Sequence, residues 1–176
     1  MNRELWEKTV AFHGHACPGL AIGFMAATAA SESPEVGQIP HGRLVCLTEN
    51  DACGVDAIQV VLGCTLGKGN LVFRDAGKHA YGFYDRETGR SLRLVAKDAK
   101  PAQDLGREER IEAILNSKPS DLFDGKRPTR PVPERERIFI TDVCQGCGEP
   151  TAEHRLRLQD GKKVCLDCFQ EYDKRW

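Results

Sequence analysis

The chain has 176 residues, 40% of them apolar, eight cysteines and a formal net charge of −1. That length suits one ordinary domain plus a small second module. A charge near zero provides no general attraction for nucleic acid or anionic membrane, and no apolar run reaches the ~18 residues of a membrane-spanning helix. The opening stretch MNRELWEKTV lacks an apolar signal-peptide core, so a cytoplasmic protein is expected. A reducing cytosol keeps thiols free, which makes metal binding or thiolate chemistry a better use of the cysteines than disulfides.

In chain order, Asn2 is placed to cap a first helix whose buried side carries Leu5, Trp6, Thr9 and Val10, ending near Gly14. A second, alanine-rich helix follows Pro18 and stops before SPEVG. Arg43 to Glu49 reads as a strand, and GVDAIQVVLG as a short helix between glycines. NLVFRD, KHAYGFYD and RSLRLVAKD read as three strands of an antiparallel meander. REERIEAIL is a helix with Ile111, Ile114 and Leu115 at core spacing. Segregated rather than alternating elements predict an α+β core, an antiparallel-rich sheet packed with helices. The core is expected over 1–126 and a proline-rich linker over 127–136. A zinc-binding module over 137–176 begins with the strand RIFITDV.

The late cysteines carry the plainest signal. Cys144-x2-Cys147 and Cys165-x2-Cys168 are separated by 17 residues. Two thiolates three residues apart reach one tetrahedral ion when the backbone turns tightly, and Gly146 and Gly148 permit that turn. Between the pairs, Leu156 and Leu158 alternate towards an Asp160-Gly161 hairpin turn, and LDCFQEYDKRW has helical character. Knuckle, hairpin and helix in that order predict a treble-clef zinc finger. Four thiolates leave no open position, so this zinc is structural; His154 reads as a surface residue. From Glu134 to Trp176 there are eight Lys/Arg against nine Asp/Glu, which disfavours nucleic-acid binding.

The segment FHGHACPGL places His13, His15 and Cys17 at alternating positions. Extended backbone projects all three from one face. Cys17 then precedes a helix N-terminus, where free N–H groups and the helix dipole favour a thiolate. Two imidazoles and a thiolate are a zinc-type donor set; the bland alternative is a packed cysteine beside hydrogen-bonded histidines. Glu49, Asn50 and Asp51 end a strand beside this segment's partner stretch. There Cys53 precedes a helix and Cys64 follows it, each divided between core and site; Cys46 reads as core. GCTLGKGN fails the phosphate-loop spacing, which leaves Lys68 as an anion contact or a solvated turn residue.

FHGHACPGLAIGF, ENDACGVDAIQVVLGCTLGKGNLVFRDAGKHAYGFY and the terminal CQGCGE and CLDC together resemble the FmdE family of formylmethanofuran dehydrogenase proteins. The resemblance implies an α+β core, often a homodimer, followed by a treble-clef zinc finger. It also implies a link to a molybdenum- or tungsten-dependent enzyme that reduces CO2 onto methanofuran, with the cofactor-bearing chemistry in other subunits. His13, His15, Cys17, Cys53 and Cys64 match the family positions of a core metal or active site. The leading expectation is a metal-binding accessory or subunit of such an oxidoreductase, holding a second ion, zinc or related, in the core. One alternative is an autonomous enzyme acting on a small molecule, with Cys17, His15 or Lys68 as reacting groups. A second is a ligand-sensing regulator with a nucleic-acid-binding finger.

Overall fold

The computed structural model describes residues 1–40, 42–97 and 105–172. It divides into two compact units, Met1–Arg135 and Glu136–Trp176. The final four residues of the expected C-terminal helix, and Asp98 of the last core strand, lie outside the described residues.

In the first unit, α1 (Arg3–His13) begins at Asn2, whose side chain accepts the Leu5 N–H at 3.1 Å. It ends at Gly14, which takes the left-handed conformation that costs glycine least. The chain turns at once into α2 (Pro18–Glu32), with Cys17 as its N-cap residue. α2 buries Leu20, Phe24, Met25 and four alanines, so it is a central helix rather than a surface one. Its small residues allow a close crossing with α3 (Gly54–Leu62): a Cβ on Gly23 would stand 2.3 Å from Gly54 Cα. The helix α4 (Arg107–Asn116) buries Ile111, Ile114 and Leu115, as their spacing predicts, and packs on α2.

The sheet contains β1 (Leu44–Thr48), β2 (Leu71–Phe73), β3 (Ala80–Asp85), β4 (Ser91–Ala96) and β5 (Phe123–Lys126), in the order β2-β1-β3-β4-β5. The three-strand meander is corrected at its first step. β2 runs parallel to β1, with Cys46 opposite Leu71, and β3 pairs with the other edge of β1, with Cys46 opposite Phe83. The cause is α3, which carries the chain across from β1 to β2 as a βαβ crossover. The following loop crosses the end of β1, where the N–H groups of Arg74, Ala76 and Lys78 bond the carbonyls of Thr48 and Glu49.

The strand β5 is not evident in the sequence. Asp124-Gly125 has turn composition, and the strand is preceded by a single helical turn, α5 (Pro119–Leu122). Pairing with β4 and burial of Leu122 and Phe123 outweigh that local preference. Alternation along the strands gives the sheet two faces. Cys46, Tyr81 and Phe83 face the helices, while Val45, Leu47 and Tyr84 form a second cluster covered by Val132 of the proline-rich segment. That segment therefore packs on the first unit, which extends to Arg135.

The second unit is built from two hairpins. β6 (Thr141–Val143) pairs with β7 (Pro150–Ala152), and β8 (Arg157–Gln159) pairs with β9 (Lys162–Val164). Positive φ at Asp160 (50°) and Gly161 (76°) closes the second hairpin as its sequence predicts. RIFITDV is strand only in its last three residues, because β7 offers three partners; Ile138 and Ile140 are exposed. Leu158 is also exposed, and His154 stacks on Phe139. After Cys165 the chain makes one turn, with Phe169 N–H bonded to Cys165 O at 2.9 Å, but no helix follows among the described residues. Gln159 instead accepts the Gln170 N–H at 3.0 Å and donates to the Gln170 carbonyl, so neither group is left for a helix ladder. Among the described residues no helix is long and apolar enough to cross a membrane.

Candidate metal centres

In the second unit, Cys144, Cys147, Cys165 and Cys168 place their sulfurs within 4.8 Å of one another. Cys144 Sγ accepts N–H bonds from Cys147 (3.5 Å), Cys165 (3.2 Å) and Gly146 (3.4 Å). These bonds lower its pKa to about 6. The crowded neighbours respond oppositely: hydrogen bonding to Cys165 and the other thiols pushes Cys168 up to about 12. Cys144 ionises readily, while Cys147 and Cys168 hold their protons more tightly than a free thiol until a cation supplies compensating charge. A structural zinc ion is that cation. Gly146 packs closely on Cys168: a Cβ there would stand 3.0 Å from its Cβ and Sγ, a tight contact.

The first unit gathers a second donor set. His13, His15 and Cys17 offer atoms within 4.8 Å of one another. An extended segment is the geometry expected from the sequence; the structure achieves the convergence through helix caps. His13 is the last residue of α1, Gly14 (φ 88°) reverses the chain, and Cys17 (φ −150°, ψ 160°) opens α2. Cys17 Sγ accepts the Leu20 N–H at 3.3 Å and so caps α2 and fixes the sulfur's position. Arg107 Nη2 donates to Ala16 O at 2.7 Å and ties the connecting segment to α4.

His13 is aimed by a residue that the sequence did not mark. Its Nδ1 lies 2.7 Å from Asp56 Oδ2, and Gln59 donates to the other Asp56 oxygen at 3.1 Å. A carboxylate acceptor requires the proton on Nδ1, so in the neutral imidazole the Nε2 lone pair faces the cluster, 4.0 Å from Cys17 Sγ. The His13 and His15 rings stand 4.6 Å apart, tilted by 39°. Asp56 lies three residues beyond Cys53, in the first turn of α3. That local spacing is visible in the sequence, but the 43-residue reach to His13 is not.

The remaining candidates divide. Cys53 lies beside Cys17: a Cβ on Gly19 would sit 3.9 Å from Cys53 Sγ and 4.0 Å from Cys17 Sγ. Burial, then the Cys17 thiol, push the Cys53 thiol up. Cys64 is not brought to the cluster. It is fully buried, 3.9 Å from the Leu44 carbonyl and close to Cys46, and burial pushes it up to about 11. The cause is the loop after α3, which delivers residue 64 under β1, at the opposite end of α3 from Cys53. Lys68 is likewise elsewhere, its ammonium closing the C-terminus of α3 on the Gly63 carbonyl. Glu49 serves the fold through two bonds to Arg93, at 2.6 and 2.8 Å, and Asn50 holds the loop by bonding Lys78 O and Ala52 N. Asp51 is exposed at the end of β1.

The donor set of the core cluster fits zinc. Ligand pairs around a tetrahedral zinc stand about 3.3–3.8 Å apart, given bonds of about 2.0–2.3 Å. The 4.0 Å between His13 Nε2 and Cys17 Sγ closes to that value with a shift of a few tenths of an ångström. Three protein donors leave a fourth position for Cys53 or for an external ligand.

Comparison with known proteins agrees with this architecture. A C4-type zinc finger model, the prokaryotic dksA/traR finger, matches residues 138–174. A crystal structure of a tungsten formylmethanofuran dehydrogenase FmdE-like protein from Syntrophus aciditrophicus superposes with a TM-score of 0.71. It is 26% identical, and the match covers 94% of this chain and 90% of that one. A probable S-adenosyl-L-methionine-binding protein of Archaeoglobus fulgidus is 26% identical over 92% of this chain, and this chain spans 51% of that relative's length. The model of the family described as FmdE, molybdenum formylmethanofuran dehydrogenase operon, matches residues 12–124, the stretch that holds the His/Cys cluster and the sheet, and the chain belongs to that family.

Proposed function

We propose that this protein is a zinc-binding accessory or subunit of a molybdenum or tungsten oxidoreductase, with a core ion held by His13, His15 and Cys17. The observation that carries the metal site is the Asp56–His13 bond, which fixes the histidine tautomer that a metal needs. Cys53 is adjacent to the cluster and serves as a fourth ligand or as its wall. The link to an oxidoreductase is supported by family membership and by the name of the similar Syntrophus protein. A homodimer as the working unit belongs to the same proposal.

Zinc bound there would supply Lewis acidity at its fourth position. The chain's own residues would hold and orient it: Asp56 accepts the Nδ1 proton of His13, and the Leu20 N–H fixes the Cys17 sulfur. This is also why the second reading, an autonomous metal-dependent enzyme, is retained. An open fourth position beside a cleft is the arrangement such chemistry uses.

Metal analysis of the purified full chain tests the site. Two zinc ions per chain are expected, falling to one in Cys17→Ser and in His13→Ala. One ion in the unsubstituted protein, unchanged in both variants, overturns it. Co-purification with molybdenum- or tungsten-enzyme subunits from the native host tests the accessory role, and sedimentation at the mass of two chains tests the dimer.

A further inference from the structure

A cleft of about 610 Å³ opens at the carboxyl ends of the parallel pair β1–β2, beside the first turn of α3. The volume lies in the range of small-molecule sites, about 300–1,000 Å³, and the ends of parallel strands are where α/β sheets commonly bind ligands. The cleft meets the His/Cys cluster. His13 and Cys53 line it, Cys53 lies beside Cys17, and His15 and Cys17 complete the donor set from outside the lining. The same wall carries Val55, Leu66, Leu71 and Phe73. Leu71 is buried, whereas Leu66 and Phe73 are 68% and 47% exposed. Apolar side chains left this open at the mouth of a concave site gain by being covered.

The ion, rather than the two carboxylates of the lining, decides which head group enters. Asp56 is already engaged, one oxygen bonded to His13 and the other to Gln59. Asp51 is exposed, so water and salt screen its charge. Zinc on two imidazoles and one thiolate would retain a net positive charge and a fourth position. That position takes a lone pair. An ammonium has none to give, whereas a carboxylate or a thiolate fills the position and balances the charge.

We infer that this cleft binds a small molecule with an apolar body and one anionic donor group, a carboxylate or a thiolate. The donor takes the fourth position of the core ion, and the body lies against Leu66, Leu71 and Phe73. The inference rests on the proposed core metal site and names the class of ligand that the site serves. Cys53 is then part of the cleft wall rather than the fourth ligand.

The test is a ligand titration of the full chain loaded with cobalt(II), which replaces zinc in tetrahedral sites and whose visible absorption changes with its donors. The finger's four thiolates leave no open position, so a ligand-dependent change reports the core site. Each head group is supplied with the apolar body and without it: 3-phenylpropionate against acetate, and 3-phenylpropane-1-thiol against ethanethiol. At least one bodied probe should give a saturable spectral change and bind at least about tenfold more tightly than its bodiless partner. 3-Phenylpropylammonium, which has the body but no donor, should neither shift the spectrum nor compete. Leu66→Ser and Phe73→Ala, both at exposed side chains, should each weaken the bodied probe by about threefold or more and leave its bodiless partner unchanged. No spectral change with either bodied probe, equal affinity for the bodiless heads, competition by the ammonium, or unchanged affinity in both variants overturns the inference. Metal counting separates the two readings. One ion per chain, unchanged in Cys17→Ser, refutes the core site and the inference with it. Two ions and no response to either bodied probe refute the inference and leave the core site standing.

Discussion

His13 Nδ1 and Asp56 Oδ2 lie 2.7 Å apart and join the end of α1 to the first turn of α3. The bond does two things at once: it sets the imidazole tautomer and it fixes the ring relative to Cys17. Asp56→Asn keeps the shape but loses the charged acceptor. Zinc affinity at the core site should fall about 10–100-fold, the range for outer-shell partners of a metal-bound histidine. A chelator competition titration checks this, with the finger's zinc as the internal reference. Unchanged core affinity would remove Asp56 from the site.

Cys64 provides the opposite control. Its sulfur is buried under β1 rather than at the cluster. Cys64→Ala should leave two zinc ions per chain while lowering stability by about 1–2 kcal/mol through a small cavity. Loss of the core ion in this variant, at unchanged fold, would place Cys64 among the ligands.

Zinc removal should act on the two units differently. Among the described residues, the finger's own hydrophobic cluster contains only Cys144, Val164 and Cys165, packed with Cys168 and Phe169, too little to order it without the ion. A strong chelator should collapse the amide dispersion of residues 141–168 and leave the β1–β5 amides protected. Native signals from 141–168 in the metal-free chain would show that the finger folds by packing alone.

The sheet carries two buried carboxylates whose pKa values are depressed. The Arg43 guanidinium holds Asp85 well below the usual carboxylate range, and Arg93 holds Glu49 low. For each, the folded value is below the unfolded one. Their stabilisation is therefore fully present above the unfolded pKa of about 4 and is lost as pH falls through the folded values. Urea midpoints should be level from about pH 7 to 5 and drop below about pH 4. Arg93→Leu strands a carboxylate that is 5% exposed and should cost about 3 kcal/mol at about pH 7. That deficit should shrink as acid protonates Glu49, and a deficit independent of pH would show that lost packing, not charge, is responsible.

The crossing of α2 and α3 depends on glycine. A Cβ on Gly23 would stand 2.2 Å from Gly54 O, so the two helix backbones would have to move apart. Gly23→Ala should destabilise the first unit by about 1–3 kcal/mol despite its better helix propensity. Calorimetry showing a gain would mean that the helices part without cost.

Sequence alone determined whatever is written in adjacent residues. Asn2, Gly14 and Pro18 mark helix ends because capping acts within one turn. The Cys144/Cys147 and Cys165/Cys168 pairs mark a zinc site because their spacing matches its geometry, and Asp160-Gly161 marks its hairpin. FHGHACPGL likewise brought His13, His15 and Cys17 into one segment. The tertiary structure decided everything that depends on which distant segments meet. It inserted β1 between β2 and β3, since α3 is a crossover and a three-residue strand does not reveal its partner. It made a strand of Phe123–Lys126 against the preference of Asp124-Gly125, since ladder bonds and burial exceed local propensity. It supplied Asp56 to His13 and took Cys64 and Lys68 away from them, because α3 presents residue 53 at one end and residue 64 beyond the other. A helix 9 residues long separates its ends by about 13 Å, and no pattern along the chain states which end faces the metal.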